Sequence, residues 1–215
     1  MTSSTTTSVE TPTKPSAIPT LLTVFRIAMG PAIAALVLWA SNDLHSDPLL
    51  SGFIYALALI LFLLAASTDW LDGYLARKWN AVTPLGAALD HAADKVLITC
   101  VLVALAYAAL PMMLVAAAVL ILGRDVAVAG LREGLSARGK SLPVSQLGKW
   151  KAATEMAGVG AFLAFQSVAL LESAFGIPGS IGVGLDWAAR ILLWTAAALA
   201  LVSGAQYVGA LLKRD

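Results

Sequence analysis

The stretch "TDWLDGYLARKWNAVTPLGAALDHAADK" (residues 68–95) separates two long apolar runs and contains four aspartates, Asp69, Asp72, Asp90 and Asp94. Carboxylates in or beside a membrane span are energetically expensive and usually serve a function. The apolar runs on either side therefore indicate the fold class, and the four acids indicate where the chemistry lies.

The composition of the whole chain indicates an integral membrane protein. Of the 215 residues, 59% are hydrophobic and 13% are charged, whereas soluble domains average about 45–50% apolar and about 25% charged residues. A helix needs about 20 apolar residues to cross a bilayer, and the apolar runs lack the alternation of β-barrel strands. The sequence therefore predicts an all-α protein with six transmembrane helices and a cytoplasm-facing polar pocket, the helices lying at approximately 20–40, 50–67, 88–109, 111–131, 152–174 and 187–211.

The chain is predicted to form one membrane domain, residues 18–215, after a Ser/Thr/Pro-rich tail, residues 1–17. The tail has the composition of a disordered segment and lacks the basic and apolar regions of a secretory signal. Pro111 predicts a tight break between the third and fourth helices, and the glycine-rich stretch 175–184 predicts a connection between the fifth and sixth. The net charge of +1 gives no general attraction to nucleic acid, so no nucleic-acid partner is expected.

The basic residues predict how the helices cross the membrane. With six spans, the N-terminal tail, the loops after the second and fourth helices and the C-terminus lie on one side. These regions and the adjoining helix ends contain 13 of the 14 Lys and Arg residues, and Arg190 lies near the other side. Because cytoplasmic loops carry such an excess of positive charge, we expect both termini and the acidic stretch at the cytoplasmic face.

The spacing of polar residues in 68–95 predicts a metal site. If the second helix continues through the first half of the stretch, one helical face contains Asp69, Asp72, Gly73, Ala76 and Arg77. At the start of the third helix, Gly86, Asp90 and Asp94 line a second face. Carboxylates so spaced on facing helices resemble dinuclear sites of helical bundles, and oxygen ligands alone suit Mg²⁺ or Mn²⁺. Two alternatives stay open: ordinary interfacial charges, and a relay of acids for cation or proton transport.

The eight residues form the pattern D-x-x-D-G-x-x-A-R-x₈-G-x-x-x-D-x-x-x-D, which resembles the signature of the CDP-alcohol phosphatidyltransferase family. The resemblance implies six transmembrane helices, two divalent ions per active site, a homodimer, and a reaction in which an alcohol displaces CMP from a CDP-linked lipid. It also implies that Asp94 is the general base. The metal ligands implied are Asp69, Asp72, Asp90 and Asp94, and the contacts implied for the CDP-lipid are Gly73, Ala76, Arg77 and Gly86.

Two further stretches, 18–31 and 123–156, resemble bacterial members of this family that use glycerol 3-phosphate as the alcohol. Arg26 in the first stretch is expected at the level of the lipid headgroups, and Asp125 in the second is expected to orient its neighbour in the chain. The residues expected to bind the acceptor phosphate at the cytoplasmic opening are Arg124, Arg132, Lys149 and Lys151. The alternative for these four is positive-inside topology alone.

The resemblance thus implies transfer of the phosphatidyl group from CDP-diacylglycerol to glycerol 3-phosphate at a bacterial inner membrane, among membrane lipids. The products would be phosphatidylglycerophosphate and CMP. A sister activity with another acceptor, such as a cardiolipin synthase that uses phosphatidylglycerol, is the alternative within the family. A lipid acceptor has less need of four basic residues, so the basic cluster favours glycerol 3-phosphate.

Overall fold

The computed structural model describes residues 17–44, 46–78, 84–136 and 146–212, and within these ranges it leaves out most side chains of the 69–91 stretch. Residues 1–16, the greater part of the predicted tail, lie outside the description. The described chain forms six helices: α1 (Ala17–Asp43), α2 (Pro48–Lys78), α3 (Pro84–Ala108), α4 (Met112–Ser136), α5 (Gln146–Phe175) and α6 (Gly179–Leu212). The all-α prediction is confirmed.

Five helices contain segments that are long and apolar enough to cross a membrane: Thr23–Asp43, Pro48–Thr68, Met112–Ser136, Gln146–Glu172 and Gly179–Tyr207. The outer surface of the described helices is rich in large apolar side chains, including Ile60, Leu63, Val119 and Ile191, each more than half exposed. Large exposed apolar surfaces mark contact with lipid or protein, so this surface fits a lipid environment. The predicted span at 88–109 falls in α3, which is not among the five segments, so the sixth crossing stays a prediction.

The helix ends follow from local chemistry. The carboxylate of Asp47 accepts a hydrogen bond from the Leu50 amide at 2.9 Å, which caps α2, and Pro48 occupies its first turn. Gly176 has a φ of 62° and the Ile177 amide donates to the Glu172 carbonyl, which closes the last turn of α5. The connection between α5 and α6 is therefore shorter than predicted, because residues 179–184 are already helical.

The helices α1 and α3 run in the same direction, since contacts join their like ends. At one end, the α1 residue Arg26 bonds to Asp94 near the start of α3. At the other end, the Ser41 hydroxyl donates to the Ala108 carbonyl. The predicted break at Pro111 is present, because α3 ends at Ala108 and α4 begins at Met112.

Small residues set the closest helix contacts. The backbones of α1 and α3 approach closely, since a Cβ added to Gly30 would lie 3.1 Å from the Val96 carbonyl oxygen and the Leu97 Cα. Membrane helices commonly use glycine to let backbones approach in this way. This contact draws the N-terminal ends of α1 and α3 together and so positions Arg26 beside Asp94.

Candidate active site

A cavity of about 500 Å³ lies at the end of the bundle where α3 and α5 begin and α4 ends. A cavity of this volume is large enough for a small-molecule ligand. Its wall mixes small and branched apolar side chains with charged ones. The charged residues of the lining are Asp94, Lys95, Arg124, Asp125, Arg132, Lys151 and Glu155.

Asp94, the aspartate predicted to be the general base, is held at the cavity by Arg26. The Arg26 Nη1 donates to Asp94 Oδ1 at 2.8 Å across 68 residues of sequence. The Arg26 side chain has 0% exposure, whereas that of Asp94 is 29% exposed. Arg26 is therefore buried inside the bundle, while the carboxylate that it holds stays accessible. Its position at the level of the lipid headgroups stays a prediction.

Asp125 is the centre of a network that joins three helices. Its carboxylate accepts hydrogen bonds from Lys95 Nζ of α3, from Lys151 Nζ of α5 at 2.7 Å and from the Arg124 guanidinium at 3.1 Å. Asp125 is 6% exposed, so little solvent screens these pairs. The expectation that Asp125 orients Arg124 is confirmed, but the residue also binds two lysines.

Lys151 connects this network to a second buried carboxylate. Its ammonium group lies 2.7 Å from Asp125 Oδ2 and 2.6 Å from Glu155 Oε2, one helical turn further along α5. Lys151 and Glu155 are almost fully buried. A buried lysine with two carboxylate partners is held in place, so its amino group forms a fixed part of the cavity wall.

Arg124 is positioned from α6. Its Nη2 donates to Ser203 Oγ at 2.9 Å, and its guanidinium carbon lies 5.6 Å from the centroid of the Tyr207 ring. That separation is typical of a cation–π contact. Together with Asp125, these contacts hold the arginine on several sides and fix its direction.

The cavity has an excess of positive charge. With Arg26, the partner of Asp94, the described side chains comprise five cations and three carboxylates, which leaves two positive charges over. A phosphate monoester carries nearly two negative charges at neutral pH. The cavity is therefore electrostatically suited to a small dianion.

The structure brings together most of the predicted basic residues. Arg124, Arg132 and Lys151 line the cavity together with Asp94. Lys149 is exposed and is not among the lining residues. The condition that the second helix continues through the first half of the acidic stretch is met, because α2 ends at Lys78. The side chains predicted to bind metal or the CDP-lipid at Asp69, Asp72, Asp90, Gly73, Ala76, Arg77 and Gly86 lie outside the described residues.

Sequence reasoning gave no site role to Arg26, Lys95 or Glu155. A signal was available for Glu155, since a carboxylate within an otherwise apolar span is costly and is usually retained for function. No local pattern could reveal Arg26 or Lys95 as site residues, because their partners lie 68 and 30 positions away in the chain.

The oxygen donors of this region fit a hard divalent cation. Asp94 presents a partly exposed carboxylate at the cavity. The backbone is helical at Asp69 and Asp72 in α2 and at Asp90 in α3. The five-residue connection between these helices lets their ends lie no more than about 20 Å apart. Among the described side chains, no three metal-binding groups come together, and three of the four predicted ligands lie outside that set.

Comparison with known proteins agrees with the motif. A family model described as CDP-alcohol phosphatidyltransferase matches residues 16–203. A CDP-diacylglycerol–glycerol-3-phosphate 3-phosphatidyltransferase of Cereibacter sphaeroides is 33% identical, with 88% of this chain and 93% of that protein covered. One from Rickettsia bellii is 36% identical over 88% of this chain and 92% of its own. A cardiolipin synthase (CMP-forming) of Oryza sativa subsp. japonica is 33% identical over 74% of this chain and 49% of its own.

Proposed function

Because this chain belongs to the CDP-alcohol phosphatidyltransferase family, we propose that it transfers the phosphatidyl group of CDP-diacylglycerol to glycerol 3-phosphate. The products are phosphatidylglycerophosphate and CMP. Relatives named for this reaction align with most of the chain at 33% and 36% identity. The reaction supplies the precursor of phosphatidylglycerol.

The observation that carries this proposal is the meeting of Asp94 with Arg124, Arg132 and Lys151 in one cavity. A proton acceptor thus lies in the same space as cations that suit the phosphate of the acceptor. Guanidinium groups bind phosphate through paired N–H donors, and lysine adds a point charge. An acceptor that carries both a phosphate and a hydroxyl group matches this arrangement.

In the proposed mechanism, the cations hold the phosphate of glycerol 3-phosphate so that its primary hydroxyl reaches Asp94. The Asp94 carboxylate takes the hydroxyl proton. The oxygen then forms a bond to the phosphorus that carries diacylglycerol, and the bond from that phosphorus to the CMP oxygen breaks. Arg26 keeps the carboxylate in position through its 2.8 Å contact.

We propose two Mg²⁺ or Mn²⁺ ions per active site, held by Asp69, Asp72, Asp90 and Asp94. When bound, such ions neutralise charge on the diphosphate and on the leaving CMP. The CDP moiety would lie against Gly73, Ala76, Arg77 and Gly86. Support comes from the family motif and from the helical backbone at these positions.

We further propose that all six helices cross a bacterial inner membrane, with both termini and the cavity at the cytoplasmic face. The charge distribution along the chain supports this orientation. From the family resemblance, we propose that the protein acts as a homodimer. Lys149, which is exposed, would attract glycerol 3-phosphate from outside the cavity.

The matched cardiolipin synthase motivates a second candidate, in which phosphatidylglycerol is the acceptor. Such an acceptor is a lipid with a phosphodiester, so it carries one negative charge at the reacting end. Among the described side chains at the cavity, cations outnumber carboxylates by two, which suits glycerol 3-phosphate better. Transport of cations or protons has no support from the matched relatives.

An acceptor-exchange assay tests the proposal. Purified protein with Mg²⁺ and CDP-diacylglycerol should release CMP when glycerol 3-phosphate is added, and not when serine, inositol phosphate or phosphatidylglycerol replaces it. Release with phosphatidylglycerol alone would establish the cardiolipin synthase activity instead. Uptake of cations into liposomes without CMP release would refute the transferase proposal.

A further inference from the structure

One carboxylate oxygen in the cavity wall has no partner among the described residues. Glu155 lines the cavity and is 2% exposed. Its Oε2 lies 2.6 Å from Lys151 Nζ, whereas its Oε1 is shielded from solvent and accepts no hydrogen bond there. Buried acceptors are almost always satisfied in native proteins, and an unsatisfied one at a cavity is a candidate for bonding to a ligand.

The chemistry of the group restricts that ligand. An ionised carboxylate only accepts hydrogen bonds, so its partner has to be a donor. It repels a phosphate group, which can be held instead by Arg124 and Arg132 in the same cavity. A neutral hydroxyl group is therefore the part of the acceptor that fits Glu155.

Glycerol 3-phosphate has one hydroxyl more than the reaction consumes. The primary hydroxyl gives its proton to Asp94 in the proposed mechanism, and the middle hydroxyl stays unchanged. The cavity holds Asp94 on α3 and Glu155 on α5 as separate carboxylates, each able to accept from one hydroxyl. The network through Lys151 and Asp125 fixes the position of Glu155 relative to the cations.

We propose that Glu155 is a specificity-determining residue, whose Oε1 turns towards the cavity when the acceptor binds and accepts a hydrogen bond from the non-reacting middle hydroxyl of glycerol 3-phosphate. This inference rests on the proposed function. It assigns the recognition of the phosphate to the cations and the recognition of the polyol to Glu155. A site built to bind a hydroxyl discriminates strongly against an analogue that lacks it, because the buried acceptor is then left unpaired.

The test compares glycerol 3-phosphate with 3-hydroxypropyl phosphate, which keeps the phosphate and the primary hydroxyl but lacks the middle hydroxyl. CMP release is measured for the purified full chain in detergent with Mg²⁺ and CDP-diacylglycerol. For the unmodified protein, kcat/KM should be about 10- to 100-fold higher with glycerol 3-phosphate, as expected for a hydrogen bond to a charged group. For Glu155→Leu the ratio should fall to near unity, chiefly through loss of activity with glycerol 3-phosphate.

Glu155→Gln keeps the shape of the side chain and guards against misfolding of the leucine variant. Its single amide oxygen has to serve both Lys151 and the hydroxyl, so the ratio should fall by at least about threefold. Thr154→Val is the matched control, because the Thr154 hydroxyl bonds only to carbonyls of its own helix and the residue does not line the cavity. That variant should keep the ratio of the unmodified protein.

A ratio near unity in the unmodified protein, or an unchanged ratio in a folded Glu155→Gln or Glu155→Leu variant, overturns the assignment of Glu155. Either result leaves phosphatidyl transfer intact as long as glycerol 3-phosphate supports CMP release. Absence of CMP release from the unmodified protein with both acceptors would instead refute the proposed function.

Discussion

The substitution Asp125→Asn tests whether one buried carboxylate holds the site together. Asp125 accepts hydrogen bonds from Lys95, Lys151 and Arg124, which come from three helices. Asparagine keeps the size of the side chain but removes the charge, and its amide N–H group repels an ammonium group that it faces. Three cations then lose their shared counter-charge within a largely buried wall.

The size of the effect follows from burial. Removing one partner of a buried ion pair costs about 3–5 kcal/mol. The lower end applies here, because Lys151 keeps Glu155 as a partner and Lys95 is 35% exposed. A loss of about 3 kcal/mol in a chain of 215 residues corresponds to a decrease of about 6–12 °C in Tm.

Thermal unfolding of the purified variants in one detergent measures this change. Asp186→Asn is the control, since Asp186 pairs with the partly exposed Arg190 one turn away at the opposite end of the bundle, a contact worth less than about 1 kcal/mol. Adding Lys95→Met to Asp125→Asn should recover part of the loss, because it removes one uncompensated charge. A Tm decrease for Asp125→Asn no larger than for Asp186→Asn would refute the role of Asp125 as the centre of the network.

Three further outcomes are expected. Asp94→Asn should lower kcat at least about 100-fold, as loss of a general base does. Binding of CDP-diacylglycerol, measured by calorimetry, should be largely kept. Near-normal turnover would exclude Asp94 as the base. Arg132→Ala should raise the KM for glycerol 3-phosphate about tenfold, the lower range for a hydrogen bond to a charged group. Lys149→Ala should raise this KM less, because Lys149 is exposed and does not line the cavity. Equal effects on KM would contradict the assignment of Arg132 to the cavity and of Lys149 to its entrance. Chelation by EDTA should abolish CMP release and added Mg²⁺ or Mn²⁺ should restore it, whereas full activity in excess EDTA would remove the metal ions from the proposed mechanism.

The helices of this protein were predictable because their signals are local. The apolar runs and the break at Pro111 locate the helices, and α4 (Met112–Ser136) lies close to its predicted span, 111–131, whereas α6 (Gly179–Leu212) begins eight residues before its predicted span, 187–211. The predicted connection at 175–184 is too long, because glycine occurs in helices as well as in loops. In a packed bundle glycine also allows close contacts, as at Gly179, where an added Cβ would lie 2.6 Å from Glu172 Oε1.

The candidate site was predictable in part. Arg124, Arg132 and Lys151 were selected from their sequence context, and the structure places all three in the cavity with Asp94. The amphipathic segment before the first span predicts that Arg26 lies at the headgroup level, but this pattern does not reveal which residue Arg26 contacts. Its partner belongs to another helix, and the close approach of α1 and α3 at Gly30 decides that pairing.

The sequence by itself determined that this is a helical membrane protein of the CDP-alcohol phosphatidyltransferase family, because hydrophobicity, charge bias and motif spacing are properties of short segments. Only the tertiary structure decided which charges meet: Arg26 with Asp94, and Lys95, Lys151 and Arg124 with Asp125. The physical reason is that lipid-facing and core-facing positions are equally apolar, as the exposed Ile60 and the buried Phe62 show. Hydrophobic periodicity therefore cannot fix how each helix is rotated, and the rotation selects the partner of every buried charge.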